Sequence, residues 1–462
     1  MAIPEDVARY IDEVWPQVLD DIAALVAVDS VEDLGAAAPG SPFGPGPRQA
    51  LDVALGIASR LGLESHDLDG YIGYADLPGA SDEVLATIAH VDVVPAGPGW
   101  AGDPFKMERR DGYLMGRGVI DDKGPFVLSL WAAEYFKRRG LKLPRTLRCI
   151  VGVNEETEMA DVPTYLERMG EPWFLFTPDA EFPVGCGEKG VFVTEFTSGP
   201  IAGGTLVSLE AGTVHNAIPG EARAVVRKAP EDCPEFPGIT LRALEDGATQ
   251  VLAQGVGGHA SIPAGTVNAL GVLASYLLAN QLYDQAEQGA FLGFLQSLMN
   301  TSGAALGLAA TDERFDPLTL VCGVAKTHDQ RFTLSVDVRF PPSVTSEHIH
   351  SQLFAAAERA GLATAKPHVK EPFYLDPTSP EIEALLAAYS KVTGTPAKAF
   401  TMGGGTYARK FAHGVSFGPE EDDPNKPEWA GSMHGPNEAV SEASLKRALA
   451  IYIDAIGRLM NL

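Results

Sequence analysis

Between Val7 and Leu25, apolar residues recur three or four apart, at Val7, Ile11, Val14, Val18, Ile22 and Leu25, with acidic and polar positions between them. That period predicts an amphipathic helix over residues 4–27. A Gly/Pro-rich stretch, GAAAPGSPFGPGPRQ, interrupts the pattern, and a second helix is expected near Ala50–Leu61. The pattern then changes in kind. VLATIAHV at 84–91 is a short continuous apolar run. Helical periodicity follows over roughly 125–139, then two more apolar runs at 146–153 and 173–177. Apolar strands alternating with helices are the mark of an α/β layer whose sheet is covered on both faces.

From about Gly190 the texture is α+β. Short β-patterned runs (VFVTEF, GTLVSLE, EARAVVR, RFTLSVDVRF) are mixed with helical sequence such as VNALGVLASYLLANQL and GAFLGFLQSLM. After about Glu371 the first texture returns in PEIEALLAAYSKVTG and in a closing helix, SEASLKRALAIYIDAIGRLM. A chain of 462 residues exceeds one compact core. The simplest arrangement is a discontinuous α/β domain (1–187 and 374–462), with a mostly parallel sheet covered by helices, interrupted by an inserted α+β domain (188–373).

Charge narrows the partners. A formal charge of −26 repels nucleic acid and anionic membrane surfaces. The four cysteines are scattered without a CxxC pair, which suits a reduced compartment. Acidic residues run through the N-terminal segment where a signal peptide needs a basic start, and no window offers about twenty apolar residues for a membrane span. A cytoplasmic protein is expected.

Several predicted strands end in metal-compatible side chains. VLATIAH runs into His90 and Asp92, CIVGVN into Glu155 and Glu156, and WFLFTP into Asp179. Ligands of open α/β sheets bind beyond the carboxyl ends of the strands, so these groups are placed to share a site. The turn GRGVIDDKGP adds Asp121 and Asp122 ahead of a helix. Each piece also has a structural reading. Either Asp could cap the helix, Asp179 could be loop chemistry after Pro178, and the two glutamates could be a solvated strand end. Together they suit a divalent cation such as Zn²⁺ or Mn²⁺ with no thiolate, since packed carboxylates without cations repel one another. Two cations could clamp a water nucleophile and polarise a carbonyl. No GxSxG elbow occurs, which removes support for Ser-based hydrolysis.

The motifs HVDVVP, GRGVIDDKGP, NEET, TPDAEFP and MHGPNE, in this order, resemble the M20 family of di-metal peptidases, and within it the PepV-like dipeptidases. The resemblance spans nearly the whole chain. It implies that His90 and Asp179 bind one metal, Glu156 and His434 the other, and that Asp121 bridges them. The choice of Asp121 over Asp122 rests on the resemblance alone. It further implies that Glu155 is the general base and acid, and that Asp92 orients the His90 imidazole. The implied cofactors are two divalent ions, Zn²⁺ first, with Mn²⁺ or Co²⁺ as alternatives. If the strand stops near Val153 and the chain turns, Glu156 can grip a metal while Glu155 stays free.

In the inserted domain, His259 in GVGGHASIP matches the histidine that stabilises the tetrahedral oxyanion in the family, although GGHAS departs slightly from the usual form. Asn216 and Arg339 match positions directed toward substrate, and His215 beside Asn216 has no assigned role. The run TMGGGTYAR lacks the Walker pattern, so nucleotide binding is not expected. Resemblance makes Gly403, Gly404 and Gly405 a pocket wall whose backbone N–H groups could receive a dipeptide carboxylate. The expected activity is hydrolysis of unblocked dipeptides, with a lid that closes over a small peptide and an enlarged inserted domain that makes a monomer sufficient. The alternatives are an N-acyl amino acid amidohydrolase with the same metal centre, and a non-catalytic binding protein that keeps the fold.

Overall fold

The computed structural model describes residues 3–201, 203–283 and 286–462. The chain divides into two compact units: Met1–Gly187 with Tyr374–Phe400 and Gly405–Leu462, and Glu188–Phe373 with Thr401–Gly404.

In the first unit the predicted N-terminal helix is Glu5–Val26, and each of its six apolar positions is buried. Tyr10 and Trp15 extend that buried face with their polar tips satisfied: the Tyr10 hydroxyl donates to the Trp131 carbonyl at 2.6 Å and Trp15 Nε1 to Glu442 at 3.0 Å. The helix packs on Lys123–Arg138 and Glu442–Leu459, and the latter also packs on Pro380–Thr393. Among the described residues the sheet of this unit has nine strands. Along its path, Glu64–Leu68, Ile72–Leu77, Arg145–Gly152, Ser81–His90, Phe174–Thr177, Gly414–Ser416, Gly185–Glu188 and Phe373–Tyr374 lie in that spatial order. Its centre is parallel: Ser81–His90 pairs in parallel with Arg145–Gly152 and Phe174–Thr177, and the last with Gly414–Ser416. The Glu64–Leu77 hairpin on one side is antiparallel, as is the pairing of Gly414–Ser416 with Gly185–Glu188. The parallel strands finish together, with His90 opposite Gly152 and Thr177 opposite Ser416, which brings the segments that follow them to one end of the sheet.

Among the described residues the second unit carries another nine-stranded sheet, built from antiparallel pairs around Thr319–His328 and Arg331–Phe340. Strand alternation sorts the residues of Arg331–Phe340 by face. Phe332, Leu334, Val336, Val338 and Phe340 join the core formed with helices Ala269–Ala279, Ala286–Ser297 and Ser346–Arg359, while Ser335, Asp337 and Arg339 point to the opposite face. All four cysteines are free and buried. Among the described residues no helix is long and apolar enough to cross a membrane.

Candidate metal centre

The central strand delivers His90 fully buried. Its Nδ1 lies 2.9 Å from the Asp92 carbonyl oxygen and 3.4 Å from Asp92 Oδ1, so this nitrogen donates and Nε2 is left to face the site. Nε2 stands 3.0 Å from Asp121 Oδ1 and 3.8 Å from Asp179 Oδ2. On the other side of the same carboxylate, His434 Nε2 is 2.8 Å from Asp121 Oδ2 and 3.1 Å from Glu156 Oε2. One oxygen of Asp121 therefore serves each imidazole. Asp122 occupies the N-cap position of helix Lys123–Arg138, but its side chain makes no cap bond. Its Oδ2 instead accepts the His90 backbone N–H at 3.2 Å.

The turn bearing Asp121 is built on Gly118, at φ +91, where a Cβ would press on the buried Lys123 stem at 2.7 Å. Lys123 Nζ donates to the Val28 carbonyl at 2.7 Å, and burial lowers its pKa to about 7. Glu438 closes the turn from the far end of the chain, accepting from Gly118 N at 3.0 Å and Ile120 N at 3.2 Å. It also pairs with the buried Arg117 at 2.6 Å, and Arg117 Nη2 donates to the His434 carbonyl at 3.2 Å.

The strand Arg145–Gly152 stops just before the acidic pair, and Glu155 and Glu156 stand on a turn. Strand alternation therefore does not govern them. Glu156 Oε1 accepts from Val94 N at 3.3 Å while Oε2 faces His434, and its own N–H donates to Asp92 Oδ2 at 3.1 Å. Glu155 is buried, and among the described residues its Oε1 has no hydrogen-bond partner.

These groups crowd many carboxylates into low dielectric. Burial raises the pKa of Glu155 to about 8, with His90 opposing and Glu156 and Asp121 reinforcing the shift. Burial likewise pushes Asp179 and Asp122 well up. Asp121 is the exception: burial works against its charge, but hydrogen bonds from His434 and His90 hold it well below the usual range. Burial also opposes the charge on His434, yet Asp121 and Glu156 push it up to about 11. His90 is raised against burial by Asp121 and Asp92. The imidazoles thus carry protons that a divalent cation would displace. The donor set fits such cations: His90, Asp121 and Glu156 form one group with mutually close ligand atoms, and His90, Asp122 and Asp179 form another. Among the described residues, buried oxygens of Asp122 and Glu155 without hydrogen-bond partners point the same way.

The remaining predicted residues sit mostly in the second unit. Ala217 pairs with His259 in a short ladder, and Ala260 N donates to the Asn216 carbonyl at 2.9 Å, so Asn216 and His259 are neighbours. His259 Nδ1 lies 2.6 Å from Ser261 Oγ and 3.2 Å from the Ser261 backbone N, so the ring is held by the residue two places on. Arg339 holds Asp337 with two bonds of 2.7 and 2.9 Å and reaches the Gly403 carbonyl at 3.2 Å. His215 Nδ1, with no role assigned from sequence, lies 3.0 Å from the same Asp337. Gly404 belongs to this unit and Gly405 to the first.

The supporting residues Arg117, Lys123, Asp122 and Glu438 lie inside the motifs already noted, GRGVIDDKGP and MHGPNE, but no spacing rule marks them. For Arg117, a charged residue between two glycines is the signal that could have found it.

Residues 86–458 match the model of peptidase family M20/M25/M40. A protein of Staphylococcus haemolyticus provisionally named a dipeptidase is 30% identical over 465 residues, covering 96% of this chain and 97% of its own. Among solved structures, human carnosine dipeptidase 1 aligns with a TM-score of 0.61 at 16% identity, covering 100% of both chains. The dipeptidase Dug1p of Saccharomyces cerevisiae gives 0.61 at 14% identity, with 99% and 98% covered. Those two likenesses speak for the fold. With the family model spanning most of its length, the chain belongs to peptidase family M20/M25/M40 and is an enzyme of that class.

Proposed function

We propose that the chain is a metal-dependent dipeptidase that cleaves unblocked dipeptides, with Glu155 as general base and acid. The observation that carries the reading is the division of labour within the acidic pair. Glu156 faces the shared His434 and Asp121 cluster, while Glu155 is buried beside it with an unpartnered oxygen. Burial pushes the Glu155 carboxyl up from its ordinary value, and a carboxyl group raised in this way suits proton transfer in both directions. Glu155 takes a proton from the attacking water and passes it to the leaving amine nitrogen. His90 and Asp179 would hold one divalent ion, Glu156 and His434 a second, with Asp121 shared and Asp92 fixing the His90 ring. Zn²⁺ fits this His/carboxylate set, as do Mn²⁺ and Co²⁺. The ions, when bound, supply Lewis acidity toward the scissile carbonyl and lower the pKa of water. In the inserted unit His259 is the proposed oxyanion donor. Asn216, Arg339 and the Gly403–Gly405 backbone are proposed to serve substrate binding.

The test is metal analysis of the purified protein coupled to a panel of dipeptides and N-acetyl amino acids. Turnover of dipeptides is expected. Hydrolysis confined to the acetylated compounds would replace this reading with a deacylase. Glu155→Gln is expected to keep its metal and lose about 10²–10⁴-fold in kcat, and wild-type turnover in that variant would overturn the role of Glu155.

A further inference from the structure

Adjacent glutamates with different tasks need a turn that cannot drift, and the sheet does not supply that restraint, because its ladder ends at Gly152. The amides beyond it are held by side chains. Val153 N donates to Asp161 Oδ2 at 2.9 Å, and Asn154 N approaches the Tyr407 hydroxyl at 3.5 Å. Met159 N and Ala160 N return to the Asn154 carbonyl and Oδ1 at 2.8 and 2.9 Å, which closes the loop on itself. Asp161 and Tyr407 are both fully buried, and the Tyr407 hydroxyl donates to Asp161 Oδ2. Asp161 Oδ1 also accepts Val162 N at 2.8 Å, so this carboxylate ties the loop to the start of the helix Val162–Met169.

Two further observations make this more than a packed tyrosine. A Cβ at position 152 would collide with the Tyr407 hydroxyl, so the strand ends on the residue that lets the phenol reach its last peptide. The same ring meets the His90 imidazole edge to face, with centroids 6.4 Å apart at 81°. Burying a hydroxyl costs free energy unless it is hydrogen-bonded, so phenylalanine would fill this space more cheaply if packing were the whole requirement.

We infer that Tyr407 and Asp161 form a positioning pair that sets the Val153–Glu155 backbone, aims the Glu155 carboxylate and braces the His90 ring. The inference rests on Glu155 as the proton-transfer group. Removing the hydroxyl leaves the ring volume and the metal ligands in place but frees the peptide that leads to Glu155.

Tyr407→Phe and Asp161→Asn are assayed for kcat, KM, bound metal and the pH profile of kcat, on dipeptides and N-acetyl amino acids alike. For Tyr407→Phe, kcat is expected to fall about ten- to a hundredfold with KM within about twofold. Metal content should be unchanged and the acidic limb of the pH profile displaced. The double variant should be no slower than the worse single one, because the two side chains act as one unit. Wild-type kcat and pH profile in Tyr407→Phe would overturn the inference. So would a kcat loss matched by metal loss, which would make the pair a support for the ligands instead. If Tyr407→Phe does not fold, Asp161→Asn decides on the same readouts. Failure of the dipeptidase reading would appear separately, in which substrate class the wild type cleaves.

Discussion

His90 and His434 face the same aspartate from two kinds of backbone. His90 ends the central parallel strand, is fully buried, and has its ring set by Asp92. His434 sits on a loop at φ +59, a region that costs energy for a residue other than glycine, and half its side chain is exposed. The contrast shows how one centre can be both rigid and open. On the strand side, neighbouring chain ends fix the geometry. On the loop side access is kept, and stability comes from behind, where the buried Arg117–Glu438 pair holds the His434 carbonyl and the turn before Asp121.

The comparison breaks first on a pair of substitutions measured without metal. His90→Ala leaves Asp121 Oδ1, Asp179 and Asp92 without the fully buried protonated ring between them, and a loss of about 3–5 kcal/mol in unfolding free energy is expected. His434→Ala opens a place that water already reaches, so the expected loss is smaller, about 1 kcal/mol. Both variants should lose turnover. Urea unfolding at pH 6 reads the difference, and equal losses would mean that burial of the two rings does not set their structural weight.

That asymmetry was half legible in the sequence. The strand-side residues follow apolar runs, and runs of that kind predict buried strands whose carboxyl ends can be located within one residue: 84–91 is observed as Ser81–His90 and 146–153 as Arg145–Gly152. The helices Glu5–Val26 and Glu442–Leu459 were readable because their apolar spacing is unbroken. The strand Glu64–Leu68 was not, since ESHDL is polar and mostly exposed and resembles a loop. The loop side depended on motif resemblance, because MHGPNE has no periodicity. Support from Arg117 to Glu438, or from Tyr407 to Asp161, joins residues more than two hundred positions apart, where no local pattern can announce a partner. Local sequence could not choose between Asp121 and Asp122 either. What separates them is orientation, with one carboxylate between the two rings and the other beneath the His90 amide.

Metal removal sharpens the comparison through pH. Glu155, with a pKa of about 8, and His434, at about 11, both bind protons more tightly in the folded metal-free protein than in the unfolded chain. Where the native state holds more protons, stability falls as pH rises. The Glu155 contribution is lost from about pH 4.5, its ordinary value, through 8, and that of His434 from about 6.5 through 11. Asp121, held low, acts oppositely in strong acid, where its contribution fades as pH falls below about 4. A divalent ion held by this cluster would displace the His434 proton and, by its charge, favour ionised Glu155, so the rise in Tm on adding Zn²⁺ or Mn²⁺ to chelator-treated protein should be larger at pH 8 than at pH 5. At a thousandfold excess over Kd the ion stabilises by about 4 kcal/mol. A pH-independent rise would show that the cation binds away from these groups.

The smallest expected effect concerns what orients His90. Its Nδ1 lies 2.9 Å from the Asp92 carbonyl oxygen and 3.4 Å from Asp92 Oδ1, while Asp92 Oδ2 accepts the Glu156 N–H at 3.1 Å. Asp92→Asn separates these contributions. The amide oxygen can keep the Glu156 N–H, but the NH₂ group then meets the His90 N–H, donor against donor. Losing the carboxylate behind the ring should weaken metal binding by about 10–100-fold, with the fold retained, as read by competition against a chelator. If affinity is unchanged, the backbone carbonyl alone sets the imidazole, and the carboxylate serves chiefly to hold Glu156. In that case the strand side owes its rigidity to main chain throughout, and the contrast with the His434 loop becomes sharper still.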